Sequence, residues 1–176
     1  MEAQGFKPVK LFIAILYNET ANPDIFVPHL ARIFSPIDYR STVYSFKFTH
    51  YYEQEMGGDL SRILISFQNL IPPDSLAEIK QLTRVIESKY SDERRRTINL
   101  DPGYVDLDKV VLASAKYGRQ KIPLYDGIYA DPTLEFTRQA FRPFRWTFPD
   151  FSTGLYHEDL KHIRLIYKHQ LRTLDW

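Results

Sequence analysis

The fold prediction starts from one stretch of the chain, Val9-Lys10-Leu11-Phe12-Ile13-Ala14-Ile15-Leu16-Tyr17. It is almost continuously apolar and rich in strand-forming residues, which is typical of a central strand covered on both faces. Asn22-Pro23-Asp24 follows, and a polar cap with proline near the first helical position indicates a helix start. Proline is tolerated only in the first turn of a helix, so Pro28 predicts a short helix that ends before Ser35-Pro36.

Two further strands and a second helix follow along the chain. Residues 41–50 alternate, with Tyr44, Phe46 and Phe48 on one face, which predicts a half-buried strand. Residues 62–70 predict the next strand, and we expect the two to form an antiparallel hairpin. Ser75 and Glu78 have the spacing of a capping box and begin a helix that should continue to about residue 90. A short strand over residues 97–100 comes next.

This order, β-α-β-β-α-β, predicts an α+β fold with a ferredoxin-like antiparallel-sheet core over residues of about 8–100. The rest is predicted to be a β-rich extension ending in a helix over residues 156–172. Within it, Asp101-Pro102-Gly103-Tyr104 predicts a turn and residues 110–114 a strand. Asp126-Gly127 predicts a β-hairpin, and residues 133–144 another extended segment. No linker separates two units, so we expect a single domain over residues 1–176.

Composition excludes several classes of protein. The chain has 176 residues, no cysteine and a formal net charge of +1. Disulfides, thiolate metal sites and cysteine nucleophiles are therefore impossible, and a reducing cytoplasm is the expected location. The longest apolar run is too short to span a membrane, so no membrane partner is predicted. The balanced charge gives no general attraction to nucleic acid, although a local basic patch would still allow it. Cofactor and oligomeric state are not indicated.

The common catalytic motifs do not occur in this sequence. It has no Walker A loop, no G-x-G-x-x-G, no G-x-S-x-G and no H-E-x-x-H. Glu158 and His162 share one face of the predicted last helix, but two ligands rarely hold a metal, so no metal site is predicted. Whether the protein is an enzyme is left open.

Polar residues are densest at the strand ends of the predicted extension. Strand ends and their loops present functional groups on a rigid scaffold. Lysines there would suit an anion, and carboxylates can accept protons, bind a divalent metal or hold a ribose hydroxyl. The alternative is structural, because Asp-Pro-Gly, Asp-Gly and Asp-Pro are all turn sequences and the lysines can be solvated. The predicted ligand-binding residues are Asn99, Asp101, Ser114, Lys116, Lys121, Tyr129, Asp131 and Trp146.

Two other clusters have both a functional and a structural interpretation. Residues 144–151 hold four aromatic rings, one arginine and one aspartate. They form either an aromatic wall for a base or sugar or, as we favour, a coil anchored to the core by its rings. Arg94-Arg95-Arg96 suits phosphate or an acidic partner, but a solvated connection between helix and strand is the favoured interpretation.

Four segments of the chain are informative as a set: Thr97-Ile98-Asn99-Leu100-Asp101-Pro102-Gly103-Tyr104, Lys109-Val110-Val111-Leu112-Ala113-Ser114, Asp126-Gly127-Ile128-Tyr129-Ala130-Asp131-Pro132-Thr133-Leu134 and Trp146-Thr147-Phe148-Pro149-Asp150-Phe151. Together and in this order they resemble the prokaryotic family domain of unknown function 4416. The resemblance covers most of the chain and implies a soluble, single-domain protein without an assigned activity. Members of the family often have His-Arg where this chain has Gln120-Lys121, and glutamate where it has Asp131. Without that histidine the site lacks an acid or base suited to neutral pH, which favours binding over catalysis.

Three hypotheses of function follow from these residues. The favoured one is a binding module for an anionic small molecule, such as a nucleotide or a phosphorylated metabolite. The second is a Mg²⁺-dependent enzyme of phosphoryl or nucleotidyl transfer or hydrolysis that uses the same carboxylates. The third is a protein or RNA interaction module that uses exposed rings and the arginine run. The first two require Asp101 and Asp131 to lie on the same side of the sheet.

Overall fold

A computed structural model describes residues 5–48, 53–91 and 96–174 of the chain. Its strands form one nine-stranded sheet in which every neighbouring pair is antiparallel. Across the sheet the order is β2-β4-β1-β5-β6-β8-β7, with β3 also paired to β4 and β9 to β8. The strands are β1 (Val9–Tyr17), β2 (Ile37–Arg40), β3 (Tyr44–Phe46), β4 (Leu60–Ile71), β5 (Ile98–Val105), β6 (Lys109–Ser114), β7 (Ile122–Pro123), β8 (Tyr129–Thr137) and β9 (Ala140–Pro143).

Helices lie on both faces of this sheet. None of them, within the described ranges, is both long enough and apolar enough to cross a membrane. The helices are α1 (Pro23–Ile33), α2 (Glu53–Met56), α3 (Leu76–Lys89), α4 (Pro149–Ser152) and α5 (His157–Leu171), and a 3-10 turn at Pro73–Ser75 precedes α3.

The central strand predicted from the apolar run is confirmed as β1. All nine of its residues are buried, and it pairs with β4 on one side and β5 on the other. Leu11, Ile13 and Ile15 pack against α1 and α3, whereas Phe12 and Ala14 lie in the cluster that includes α5. Because both faces are covered, the strand needs apolar side chains at successive positions.

Polar contacts fix α5 against the sheet. The hydroxyls of Tyr39 and Tyr44 donate to the two carboxylate oxygens of Asp159, at 2.5 and 2.6 Å. Lys10, fully buried within β1, donates to Oε1 of Gln170 at 2.8 Å. A buried carboxylate that accepts two hydroxyls is satisfied within the protein, so these groups position the helix.

The first helix begins and ends as predicted, although a proline lies in its interior. The side chain of Asn22 caps it by accepting from the amide of Asp24 at 2.9 Å. Pro28 lies inside α1 and removes one intrahelical hydrogen bond. The buried side chains of Phe26 and Leu30 flank it, and their packing against β1 offsets that loss. The helix thus continues through Pro28 and ends at Ile33, before Ser35-Pro36, as predicted.

The capping box predicted for the second helix does not form. Ser75 belongs to the preceding 3-10 turn, and its hydroxyl donates to the carbonyl of Pro72 at 2.7 Å instead of capping α3. The extent of the helix nevertheless agrees with the prediction, because its buried stripe rather than its cap determines it.

Within the predicted strand over residues 41–50, the structure has β3 (Tyr44–Phe46), which pairs with β4 as expected of the hairpin. Before it, β2 (Ile37–Arg40) also pairs with β4 and was not predicted. Ser41 marks the break: its amide donates to the carbonyl of Leu64, while its hydroxyl accepts from the amide of Leu64, both at 2.9 Å. A side-chain oxygen thus replaces a backbone acceptor of the ladder. Residues 49–52 lie outside the described part of the chain.

The hairpin at Asp126-Gly127 is confirmed, with φ values of 54° and 71° at these two residues and paired strands β7 and β8 on either side. Positive φ at both central positions is the conformation that this dipeptide favours. The predicted turn at residues 101–104 was wrong, because these residues continue β5. Asp131-Pro132 likewise lies within β8. The predicted extended segment over residues 133–144 contains the end of β8 and the whole of β9.

Strands β5 and β6 separate partway along their length, and we call this point the fork. They pair at Gly103–Leu112, Tyr104–Val111 and Val105–Val110, whereas β1 stays paired with β5 as far as Ile98. The cause is Pro102. The amide and carbonyl of Leu100 point away from β1. Because backbone groups two residues apart in a strand point to the same side, the nitrogen of residue 102 faces β6. A proline there has no N–H to continue the ladder.

The predicted α+β class with an antiparallel sheet is confirmed, but the sheet is larger than the predicted core. Strands β6 to β9, which we expected as an extension, join the same sheet through β5. The fork therefore lies between the predicted core and the predicted extension.

Candidate functional site

A cavity of about 650 Å³ opens at the fork. Its walls are the separated ends of β5 and β6, with β8 behind β6, and residues of α3 and α4 close it on the two faces. Six of the lining side chains are basic and five are acidic. The lining residues are Phe46, Phe48, Glu55, Arg62, Lys80, Arg84, Glu87, Arg96, Asn99, Asp101, Leu112, Ala113, Ser114, Ala115, Lys116, Lys121, Asp131, Phe148, Pro149, Asp150 and Phe151.

Asp101 and Asp131 lie on the same face of the sheet. Asp101 stands opposite Ala14 in the β1–β5 ladder, and Asp131 stands opposite Leu112 in the β6–β8 ladder. Ala14 and Leu112 belong to the same buried cluster, and directly paired residues point to the same side. Both carboxylates therefore approach the cavity from one face.

A buried ion-pair network forms the wall around Asp101. Arg62 is 3% exposed, and its guanidinium lies 3.0 Å from Oδ2 of Asp150 and 3.6 Å from Oδ2 of Asp101. Asn99 donates to the same Asp101 oxygen at 2.7 Å. Burial raises the pKa of the Asp150 carboxyl, while Arg62 opposes that rise. The network satisfies charges that would otherwise be costly to bury.

Helix α3 caps the open edge of β5. On the side that faces away from β1, Leu100 has no strand partner. There its carbonyl accepts from the ammonium of Lys80 at 2.8 Å, and its amide donates to Glu87 Oε1 at 2.5 Å. Both side chains are buried. Together they supply the donor and the acceptor that a neighbouring strand would have supplied.

Arg96 and Glu55 extend the charged lining from Glu87 toward the surface. Arg96 lies 2.7 Å from Glu55 and 3.4 Å from Glu87. Burial is the main cause that raises the pKa of the Glu87 carboxyl, and Lys80 is the largest opposing influence. This rim is more exposed than the wall around Asp101: the Arg96 side chain is 28% exposed, against 3% for Arg62.

The opposite wall of the cavity holds a second buried pair. Lys121 lies 3.4 Å from Oδ2 of Asp131, and both side chains are under 10% exposed. Its ammonium also donates to the hydroxyl of Ser114 at 2.8 Å and to the carbonyl of Lys116 at 3.1 Å. Lys121 therefore fixes the end of β6 and the loop that follows it.

Aromatic rings line the mouth and one side of the cavity. The guanidinium of Arg62 lies 4.8 Å from the centre of the Phe46 ring, which contacts Phe48 edge-on at 5.6 Å. Phe148, before α4, is 56% exposed and belongs to the lining. These rings add apolar surface to a wall that is otherwise charged.

Six of the eight predicted ligand-binding residues line this one cavity: Asn99, Asp101, Ser114, Lys116, Lys121 and Asp131. Tyr129 and Trp146 do not. Tyr129 contacts Tyr117 edge-on at 6.2 Å. Trp146 stacks on Phe144 at 5.0 Å and donates its indole N–H to the carbonyl of Pro132 at 2.8 Å, so it anchors the segment before α4.

Seven charged residues of the cavity lining are not among the predicted ligand-binding residues: Glu55, Arg62, Lys80, Arg84, Glu87, Arg96 and Asp150. Arg62 interrupts the apolar pattern of β4, and Asp150 follows a proline at the start of α4. Lys80 and Glu87 are seven residues apart beside Ile79 and Ile86, which have the same spacing. Charged residues that recur beside the apolar stripe of a helix are unusual, and this spacing could have indicated that Lys80 and Glu87 are buried.

The two other clusters have separate outcomes. In the 144–151 segment Phe151 is buried in the core, which fits the favoured anchoring interpretation, while Phe148 and Asp150 line the cavity. Of the arginine run, Arg94 and Arg95 lie outside the described residues, and Arg96 is paired with Glu55 and Glu87. In the part of the chain that the structure describes, no three His, Cys, Asp or Glu residues group as a metal site.

The chain belongs to the family described as Domain of unknown function (DUF4416), whose model matches residues 7–167. The resemblance found in the sequence is thereby confirmed over most of the chain, including every strand and the cavity. Comparison with curated proteins and with solved structures gives no match.

Proposed function

We propose that the protein binds an anionic small molecule, such as a nucleotide or a phosphorylated metabolite, in the fork cavity. The observation that carries this proposal is a cavity of about 650 Å³ whose lining includes six basic side chains. Pockets for small-molecule ligands usually measure about 300–1,000 Å³ and combine apolar walls with a few placed polar groups. The volume and the mixed aromatic and charged lining agree with a ligand of nucleotide size.

The charges inside the cavity suggest which part of it would receive the anion. Arg62, Lys80 and Lys121 are buried and close to the carboxylates of Asp101, Asp131 and Asp150. Arg84 and Lys116 are exposed members of the lining. The deep lining is therefore nearly balanced in charge, and a phosphate would be attracted chiefly to the cations at the mouth.

A binding titration with mouth variants tests the proposal. We expect wild-type protein to bind AMP or ribose 5-phosphate in calorimetry, and the double variant Arg84→Ala/Lys116→Ala to bind about tenfold or more weakly, since two charge-assisted contacts are lost. The matched control is Lys168→Ala/Arg172→Ala at the C-terminal end of α5, where Arg172 is the residue that follows the helix. It removes the same amount of charge away from the cavity and should bind as wild type. Equal weakening of both double variants would reduce the effect to net charge and contradict the assigned site.

The two alternatives have weaker support. A Mg²⁺-dependent enzyme needs carboxylate oxygens for the metal, whereas Asp101 is engaged by Asn99, Arg62 and Lys80. An RNA or protein interaction module would need an outward-facing arginine run, whereas Arg96 is turned toward Glu87. No observation favours either alternative over ligand binding. A cytoplasmic location remains a prediction from composition.

We further propose that β1 to β5 form a ferredoxin-like unit within the larger sheet. The strand order β5-β1-β4-β2, with α1 and α3 packed on the same face, supports this description. Cross-strand NOEs from β1 to both β4 and β5 would test it, and an edge position for β1 would contradict it.

A further inference from the structure

The two ends of the Lys121–Asp131 pair differ in what they offer a ligand. An ammonium has three N–H donors, and Lys121 has three oxygens near it: Ser114 Oγ at 2.8 Å, the Lys116 carbonyl at 3.1 Å and Asp131 Oδ2 at 3.4 Å. Two of its donors therefore form hydrogen bonds within the protein, and its charge is paired with Asp131. Lys121, predicted from the sequence as an anion contact, stabilises the wall of the cavity instead.

Asp131 has acceptor capacity that the protein does not use. The residue is 5% exposed, and its Oδ1 is buried without a hydrogen-bond partner among the described residues. An ionised carboxylate can accept about four hydrogen bonds, and leaving such an acceptor unsatisfied inside a protein costs free energy. Since Asp131 lines the cavity, a bound molecule can supply the missing donor.

Asp101 provides the contrast within the same cavity. Its Oδ2 accepts from Asn99 at 2.7 Å and lies 3.6 Å from Arg62, while its Oδ1 lies 3.5 Å from Lys80. Both of its oxygens therefore have partners. A hydrogen-bond donor of a ligand would therefore gain more binding free energy at Asp131 than at Asp101.

From this difference, and resting on the proposed function, we propose that Asp131 binds a hydroxyl or amino group at the uncharged end of a phosphate ester. The ligand lies with its phosphate toward Arg84 and Lys116 at the mouth and its donor-bearing end against Asp131. A phosphate would be repelled by the carboxylate, whereas a hydroxyl or amine gains a charge-assisted hydrogen bond. The ligand class is therefore phosphate esters that carry hydrogen-bond donors, such as sugar phosphates and ribonucleotides.

The test compares two ligands on one protein. Ribose 5-phosphate carries hydroxyl donors, and methyl phosphate, as the dianion at mildly alkaline pH, carries the phosphate without them. Both are titrated by NMR in EDTA against wild type, Asp131→Asn and the control Asp74→Asn, an exposed carboxylate that does not line the cavity. We expect wild type and the control to prefer ribose 5-phosphate, and Asp131→Asn to lose about tenfold of that preference while its affinity for methyl phosphate does not fall.

The outcomes separate this inference from the proposed function. If ribose 5-phosphate binds but its preference survives Asp131→Asn, or if binding requires added Mg²⁺, the role given to Asp131 is wrong while anion binding stands. If wild type binds neither ligand, the proposed function fails and this inference with it. If Asp131→Asn does not fold, the double variant Lys121→Met/Asp131→Asn is used, because it removes both charges of the buried pair. It should show the same loss of preference for ribose 5-phosphate over methyl phosphate.

Discussion

Gly103 shows how one missing side chain shapes the cavity. A Cβ at this position would lie 2.5 Å from the carbonyl oxygen of Val111, 2.8 Å from Leu112 and 2.9 Å from Phe12. The sequence Asp101-Pro102-Gly103-Tyr104 predicts a turn at this glycine. Its role is instead to let β5 and β6 approach closely at the last residue pair before the fork.

We therefore expect Gly103→Ala to lower the free energy of unfolding by about 1–3 kcal/mol, since a backbone oxygen cannot move aside as a flexible side chain can. Urea denaturation gives the value. Gly58→Ala is the matched control, because a Cβ there has no atom within 4 Å, and it should change stability by less than about 0.5 kcal/mol. Equal effects of the two substitutions would show that the close approach does not matter.

At the scale of elements, helix α3 takes the place of a strand beside β5. Lys80 and Glu87 satisfy the backbone of Leu100, and this arrangement makes stability depend on a buried carboxyl. Burial raises the pKa of Glu87 above its ordinary value near 4.5. A raised pKa means that the folded state holds the proton more tightly than the unfolded state, so the contribution to stability is present at low pH and is lost as pH rises through the folded value.

The difference in unfolding free energy between wild type and Glu87→Gln should accordingly fall as pH rises from about 4 to about 7. Glutamine keeps an oxygen for the Leu100 amide but does not titrate, so subtraction isolates the carboxyl. Glu78→Gln, an exposed position on the same helix, controls for the loss of one carboxylate from α3. A difference that grows with pH would mean that pairing with Lys80 and Arg96 outweighs burial.

At the scale of the whole molecule, the sequence predicted what local patterns determine. The apolar run of β1 and the Asp126-Gly127 hairpin were correctly placed, because burial on both faces and positive φ leave direct marks in composition. Asp101-Pro102 was misinterpreted, since long-range pairing overrode local preference there.

The candidate site was predicted in part for the same reason. Asp101 and Asp131 were predicted to lie in turns at the ends of strands, where functional residues are common, although both lie within strands. Arg62, Lys80 and Glu87 were missed because their roles depend on the fork, which arises from the pairing of strands distant in sequence. That Lys121 is committed to internal partners follows only from distances.

The fork also has a mechanical consequence. Three residue pairs join β5 to β6. This short ladder is the connection between two parts of the sheet, one formed by β1 to β5 and the other by β6 to β9. A molecule bound in the fork would contact both parts of the sheet at once. It should therefore reduce local opening of the β5–β6 ladder. Saturation with AMP should then slow amide hydrogen exchange along β5–β6 more than along β1–β4. Unchanged exchange rates along β5–β6 at saturation would indicate that the two parts of the sheet already move as one body.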